Sequence, residues 1–216
     1  MFINIHTHQP TGNRKKEILN LYKDFERVKD PGYYSIGIHP WYIGNDPDTA
    51  LKELAASAQS SSVLAIGETG LDKISKTDLV LQEKVFRFQL QLAVRLQKPL
   101  IIHCVRAWNE ITHILDQEKP AIPVIFHGFN KGITLAIQLC TKGYYLSFGK
   151  ALEKDNTRQV LKNIPPHLFF LETDDDKIPI PQVYEWASNA LSIDLNALDL
   201  QIQKNATAVF GPNVFL

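Results

Sequence analysis

The chain has 216 residues, and its 23 lysines and arginines balance 23 aspartates and glutamates, so the formal net charge is zero. A balanced charge provides no overall basic field for nucleic acid, and any phosphate contact therefore has to be local. The two cysteines, Cys104 and Cys140, stand beside apolar residues, which is typical of reduced thiols in a cytoplasmic protein and argues against a disulfide framework. A chain of this length suits one domain, and we expect a single domain over 1–216. No apolar run approaches about eighteen residues, so we expect no membrane span and no secretory leader.

Short β-rich runs alternate with longer helical patterns along the chain, which favours parallel βα units. The predicted strands cover residues 2–8, 17–22, 33–38, 63–67, 99–104, 123–127, 144–149 and 168–173. The predicted helices cover residues 46–59, 77–97, 107–118, 131–142, 155–164, 181–192 and 195–211. The gaps on either side of the second strand are too short for a full helix. The pattern predicts an α/β fold, a (β/α)8 TIM barrel with reduced first helices, and the alternative is an open doubly wound sheet.

Residues with metal-binding side chains recur where the predicted strands end. The first strand ends in "HTH", and because side chains alternate along a strand, His6 and His8 should point the same way. Further candidates end or follow the fourth, fifth, sixth and eighth strands: Glu68, His103, His127 and Asp174. Any one of them alone would be an ordinary hydrogen-bonded or capping residue. Because a barrel gathers all its strand ends around one mouth, the set predicts a metal centre.

Four imidazoles and two carboxylates are too many for one tetrahedral ion, and they suit two divalent ions. Ligation without thiolates is compatible with zinc, manganese or magnesium, so the sequence leaves the identity of the ions open. We expect Glu68 to bridge the two ions. The expected ligand sets are His6, His8 and Asp174 for one ion, and His103 and His127 for the other. Such a pair of ions activates water for attack on phosphorus, so the predicted reaction class is metal-assisted hydrolysis.

Several motifs of the sequence resemble those of the TatD family of metal-dependent deoxyribonucleases. They are, in chain order, "NIHTH", "GIHPW", "AIGETGLDK", "PLIIHCVRAW", "HGFNKG", "LETDDD" and "NATAVFG". The resemblance extends from residue 3 to about residue 211, and it implies metal-dependent hydrolysis of DNA with the same six metal ligands. The sequence departs from the family at Asn4, where an acidic residue is usual, and at Val105, where an arginine is usual.

We expect a two-metal phosphodiesterase or deoxyribonuclease that acts on DNA ends or single strands. Asp174 is expected to orient the attacking water and to accept its proton, and Glu68 is expected to share the catalytic centre. The expected substrate-binding residues are His39, Trp41, Arg106 and Lys131. The cations suit phosphate, and the tryptophan suits a nucleobase. The expected partner is DNA or another phosphodiester, with no membrane and no obligate protein partner.

Two other functions remain open from the sequence. One is the hydrolysis of an amide or ester bond of a small molecule on the same metal site. The other is metal binding without turnover, because the first βα units are short and the surroundings of the predicted ligands depart from the family pattern.

Overall fold

Eight parallel strands form one sheet in sequence order in the computed structural model, which describes residues 2–215. The strands are β1 (Asn4–Thr7), β2 (Glu17–Leu21), β3 (Tyr33–Ile36), β4 (Val63–Asp72), β5 (Leu100–Val105), β6 (Val124–Phe126), β7 (Tyr145–Phe148) and β8 (Phe169–Leu171). The end of β8 returns to β1, where the Asp174 N–H donates to the His6 carbonyl (3.1 Å) and the Asp174 carbonyl accepts from the His8 N–H (2.9 Å). Sequential parallel order with a return to the first strand confirms the predicted (β/α)8 fold.

Seven α-helices follow the strands as predicted. They are α1 (Pro47–Ser57), α2 (Leu79–Leu96), α3 (Trp108–Glu118), α4 (Ile133–Thr141), α5 (Asp155–Lys162), α6 (Ile180–Leu191) and α7 (Leu195–Phe210). The reduced first helices are confirmed as well, since residues 8–16 contain no helix and only a short 3-10 helix, Phe25–Lys29, joins β2 to β3. None of the helices in residues 2–215 is both long enough and apolar enough to cross a membrane.

The chain divides by its internal contacts into two units, Met1–Leu19 with Ile125–Leu216, and Asn20–Val124. We call them unit 1 and unit 2. The division falls within β2 and within β6, and the single domain expected from the sequence stays a prediction.

In unit 1, the buried Tyr184 hydroxyl accepts a hydrogen bond from the Ile3 N–H (3.1 Å) and donates to the Ile3 carbonyl (3.0 Å). This side chain therefore fixes the start of β1 against α6.

The most closely packed strands of unit 2 are β4 and β5, and glycine permits their approach. A Cβ atom on Gly70, whose φ is +153°, would lie 1.9 Å from the His103 carbonyl oxygen. A Cβ atom on Gly67 would lie 2.5 Å from the Ile101 carbonyl oxygen. Only glycine fits at both positions. The strand predicted to end at residue 67 therefore continues to Asp72, and the whole "GETGLD" motif lies on β4.

Candidate metal centre

Unit 1 brings together His6 on β1, His8 just after it, and residues that follow β6 and β8. One ligand atom each of His6, His127 and Asp174 lies within 4.8 Å of the others. Asp174 Oδ1 lies 3.5 Å from His6 Nε2 and 3.4 Å from His8 Nε2. Burial alone would raise the pKa of Asp174, but hydrogen bonds with His6 and His8 hold it well below the usual value. Asp174 is therefore an ionised carboxylate beside imidazoles, which is the chemistry of a metal ligand.

Unit 2 contains a second group of the same chemistry. One ligand atom each of His39, Glu68 and His103 lies within 4.8 Å of the others. Glu68 Oε1 lies 2.8 Å from His103 Nδ1 and 3.4 Å from His39 Nε2. Glu68 is buried on β4 and His103 is half-buried on β5. A buried carboxylate between two imidazoles is suited to a divalent cation.

The donor atoms of both groups fit divalent metal ions. Each group offers two or three imidazole nitrogens, one carboxylate and no thiolate, a set compatible with zinc or manganese. The ligand sets expected from the sequence, His6, His8 and Asp174 for one ion and His103 and His127 for the other, stay a prediction. His127 joins His6 and Asp174, and His39, which was expected to contact substrate, joins Glu68 and His103.

Asp72, at the end of β4, determines which nitrogen of His103 is available to an ion. Its buried carboxylate lies 3.0 Å from His103 Nε2 and accepts hydrogen bonds from Trp41 Nε1 (2.6 Å) and from the Ile74 N–H (2.9 Å). Burial would raise the pKa of Asp72, but the hydrogen bonds with His103, Ile74 and Trp41 lower it below the usual value. An ionised carboxylate only accepts hydrogen bonds, so Nε2 of His103 carries the hydrogen. The nitrogen that faces Glu68, Nδ1, is then the one that could bind an ion.

Glu172 has the corresponding position beside His127. It is buried, its Oε1 accepts a hydrogen bond from the Gly128 N–H (2.7 Å), and the same oxygen lies 3.4 Å from His127 Nδ1. This arrangement directs Nδ1 of His127 toward Glu172 and leaves Nε2 for an ion. Asn4 has a different partner, since it exchanges hydrogen bonds of 2.8 and 3.1 Å with Thr173. Asn4 therefore holds the segment that carries Glu172 rather than an imidazole.

Asn20, on β2, holds the backbone of Glu68. Its Oδ1 accepts hydrogen bonds from the Glu68 N–H (2.8 Å) and from the Ser35 hydroxyl (3.0 Å). A backbone N–H can only donate, so the amide oxygen must face Glu68. None of Asn20, Asp72 and Glu172 was predicted from the sequence to take part in the site. The last two stand within the motifs "GETGLD" and "LETDDD", and Asp72 shares a strand face with Glu68 four residues earlier, which is the signal that could have identified it.

The expected substrate-binding residues lie near the ends of the strands. Trp41 and Arg106 belong to unit 2 and Lys131 belongs to unit 1, and all three side chains are exposed. Arg106 has a φ of +55° directly after β5, and Asp174 has a φ of +54° after β8. Non-glycine residues with positive φ are uncommon and concentrate at functional sites. Helix ends such as Gln97 and Ser192 share this conformation, so it does not by itself mark a site.

Comparison with known proteins agrees with the geometry. The sequence profile described as TatD related DNase matches residues 3–211. An uncharacterized metal-dependent hydrolase of Buchnera aphidicola subsp. Baizongia pistaciae is 34% identical over 154 residues, which cover 68% of this chain and 57% of that protein. The deoxyribonuclease Tat-D of Schizosaccharomyces pombe is 30% identical over 174 residues, which cover 74% of this chain and 54% of that protein. The chain thus spans a little over half the length of these two relatives.

The fold agrees with a solved structure over nearly its whole length. The crystal structure of YjjV, a TatD homologue from Escherichia coli K12, superposes with a TM-score of 0.85 over 98% of both chains, at 22% sequence identity. The likeness shows the fold, and the profile match shows the family. The chain belongs to the TatD-related DNase family of metal-dependent hydrolases.

Proposed function

We propose that this chain is a two-metal phosphodiesterase that acts on DNA ends or single strands. The observation that carries the proposal is the presence in each unit of a group of imidazoles with one carboxylate, His6, His127 and Asp174 in one and His39, Glu68 and His103 in the other. The name of the fission yeast relative, deoxyribonuclease Tat-D, supports DNA as the substrate. Divalent ions would supply Lewis-acid stabilisation of phosphate charge and a nucleophile from water at neutral pH.

The residues of the chain have separate tasks in this proposal. Asp174 is half-exposed and lies beside His6 and His8, so its proposed task is to orient the attacking water and to accept its proton. Glu68 supplies the negative charge of the second group, and Asn20 holds its backbone in place. Asp72 and Glu172 orient the imidazoles of the two groups. The bridging role expected for Glu68 stays a prediction, and counting the bound ions in Glu68→Gln tests it, because a bridging carboxylate should be needed at both sites.

Arg106 and Lys131 are proposed to bind the phosphate. Both side chains are exposed, and each stands a few residues after a proposed metal ligand, His103 or His127. Arginine offers two parallel hydrogen bonds to phosphate, and lysine offers a point charge.

The location expected from the sequence, the cytoplasm, also stays a proposal. The free thiols of Cys104 and Cys140 support it.

A substrate panel tests the proposed function. Purified protein would be assayed on single-stranded DNA, on a bis-aryl phosphodiester and on a simple carboxylic ester, each with chelator and with added manganese, magnesium or zinc. We expect metal-dependent turnover of both phosphodiesters. Turnover of the ester alone would favour the small-molecule hydrolase, and bound metal without any turnover would favour a metal-binding protein.

Arg106→Ala and Lys131→Ala test the phosphate contacts. Losing one charge-assisted contact of about 1.5–3 kcal/mol should lower kcat/KM roughly ten- to a hundred-fold. Metal content and melting temperature should stay unchanged. The exposed Arg95 on α2 and Lys162 on α5 provide matched controls as Arg95→Ala and Lys162→Ala, which should leave kcat/KM unchanged. Wild-type turnover of DNA by both test variants would exclude these two contacts.

A further inference from the structure

An exposed apolar surface lies beside the metal-binding group of unit 2. Nine large apolar side chains are exposed among the residues that the structure describes, and three of them are Trp41 (55% exposed), Tyr42 (53%) and Ile74 (55%). These three belong to two segments that meet, because the Ser75 hydroxyl donates to the Pro40 carbonyl (3.3 Å). We call Trp41, Tyr42 and Ile74 the stacking surface.

The two aromatic side chains of the stacking surface are held in place although they are exposed. Asp72 accepts hydrogen bonds from the indole N–H of Trp41 (2.6 Å) and from the backbone N–H of Ile74 (2.9 Å). Tyr42 packs on Tyr22 with the ring centroids 4.4 Å apart and the planes 22° apart. A fixed aromatic ring loses little conformational entropy when a ligand binds, so this surface is organised for contact in advance.

The same side chains adjoin the metal-binding group. The His39 ring centroid lies 5.5 Å from that of Tyr42 and 6.0 Å from that of Trp41. Asp72 is the residue that also orients His103, so one carboxylate connects the indole to a proposed metal ligand. A phosphate bound at the group would place the attached nucleoside within reach of these rings.

We propose that the stacking surface receives the unpaired nucleobase next to the scissile phosphate, so that turnover depends on the presence and size of that base. The inference rests on the proposed function and names the part of the substrate that unit 2 recognises. Flat apolar rings recognise every base by stacking and do not read its hydrogen-bonding edge. A base inside a duplex is not available, because both of its faces are stacked on its neighbours. The expected order of preference is purine over pyrimidine over an abasic unit, whatever the base sequence.

Terminally modified oligonucleotides test the inference. Single strands would be identical except for one terminal unit, which is adenine, thymine or an abasic tetrahydrofuran, with one series modified at the 3′ end and one at the 5′ end. Wild-type kcat/KM should be at least about five-fold higher for adenine than for the abasic unit in one series, as expected from a single stacked base. Binding would be measured in parallel, by fluorescence anisotropy on metal-loaded protein, with phosphorothioate oligonucleotides that resist hydrolysis.

The quantity compared among variants is kcat/KM for the adenine strand divided by kcat/KM for the abasic strand. A uniform loss of activity leaves this ratio unchanged. Trp41→Leu should bring the ratio close to one, and Trp41→Phe, which keeps a ring but lacks the N–H, should retain most of it. The half-exposed Trp186 on α6 provides the matched control, and Trp186→Leu should keep the wild-type ratio.

Equal rates and equal binding of the adenine and abasic strands by wild-type protein would overturn the stacking surface. So would an undiminished ratio in Trp41→Leu. Failure of the proposed function gives a different result, which is no turnover of the bis-aryl phosphodiester. In that case the ratio of the affinities for the adenine and abasic strands still decides whether a base is recognised.

Discussion

Replacing Asp72 by asparagine should cost the protein both metal affinity and stability. The asparagine side chain has the same shape, but it presents an NH2 group to one set of partners. If its oxygen keeps the 2.9 Å hydrogen bond from Ile74, the NH2 group faces Trp41 Nε1 and His103 Nε2, which both donate in the wild-type protein. His103 then has to carry its hydrogen on Nδ1, the nitrogen that lies 2.8 Å from Glu68. That nitrogen is the proposed ligand atom, and a protonated nitrogen does not bind a metal ion.

Both effects have expected magnitudes. Replacing a residue that orients a metal-binding histidine weakens metal affinity about 10- to 100-fold. Losing one hydrogen bond to a charged group costs about 1.5–3 kcal/mol, which corresponds to a fall in melting temperature of roughly 3–12 °C in a chain of this size. Isothermal titration with manganese or zinc would measure the first effect, and thermal unfolding with chelator would measure the second.

A surface carboxylate provides the control for this substitution. Asp48 is exposed and pairs with Lys84 at 3.0 Å, so Asp48→Asn should change neither quantity measurably. NMR of ¹⁵N-labelled histidine would report the tautomer of His103 directly. Wild-type metal affinity in Asp72→Asn, or an unchanged His103 tautomer, would refute the reasoning.

Three further predictions concern packing and reactivity. Gly70→Ala should lower the free energy of unfolding by at least about 4 kcal/mol, because its Cβ would lie 1.9 Å from the His103 carbonyl oxygen. Gly44→Ala is the control: a Cβ there would have no atom within 4 Å, so the free energy of unfolding should change by less than about 0.5 kcal/mol. Similar denaturation midpoints for the two variants would contradict this prediction. Asn205→Ala should lower the free energy of unfolding by about 1–3 kcal/mol, because it removes the NH2 group that donates to the Pro166 carbonyl (2.9 Å) and the Phe169 carbonyl (2.8 Å). Urea unfolding measures this, and an unchanged midpoint would count against it. Burial raises the pKa of Cys140 to about 11, so its alkylation by iodoacetamide should be slow at pH 8. The alkylation rate, followed by mass spectrometry, should rise roughly ten-fold per pH unit up to the pKa, and a flat pH profile would exclude the raised pKa.

The fold could be predicted because periodicity and the strand order carry it. All eight strands and seven helices lie where the alternating patterns place them, with ends that differ by a few residues. The largest difference is β4, which continues through Gly67 and Gly70 to Asp72. Glycine in a sequence is read as a turn, but here it permits two backbones to approach closely, and only the neighbouring strand reveals that need.

The candidate site could be predicted in part, because ligand types repeat at the strand ends. What the sequence did not contain is which side chains face one another. His39 stands three residues after β3, and its place beside Glu68 depends on the path of the loop. Asn20 contacts the backbone of Glu68, Asp72 contacts the ring of His103, and Glu172 accepts from the Gly128 N–H beside His127. Such partners are set by tertiary packing rather than by spacing along the chain.

The two candidate metal-binding groups differ in when a ribosome completes them. Unit 2 has its His39, Glu68 and His103 before half of the chain has been made, whereas unit 1 joins His6 to Asp174, 71 residues after His103. At roughly 5–20 residues per second, those residues take roughly 4–14 seconds to synthesise. During that interval a cation that binds the first group would stabilise the emerging half by mass action, whereas the other group still lacks its carboxylate, Asp174. Cation supply during translation would therefore act first on the earlier half of the polypeptide.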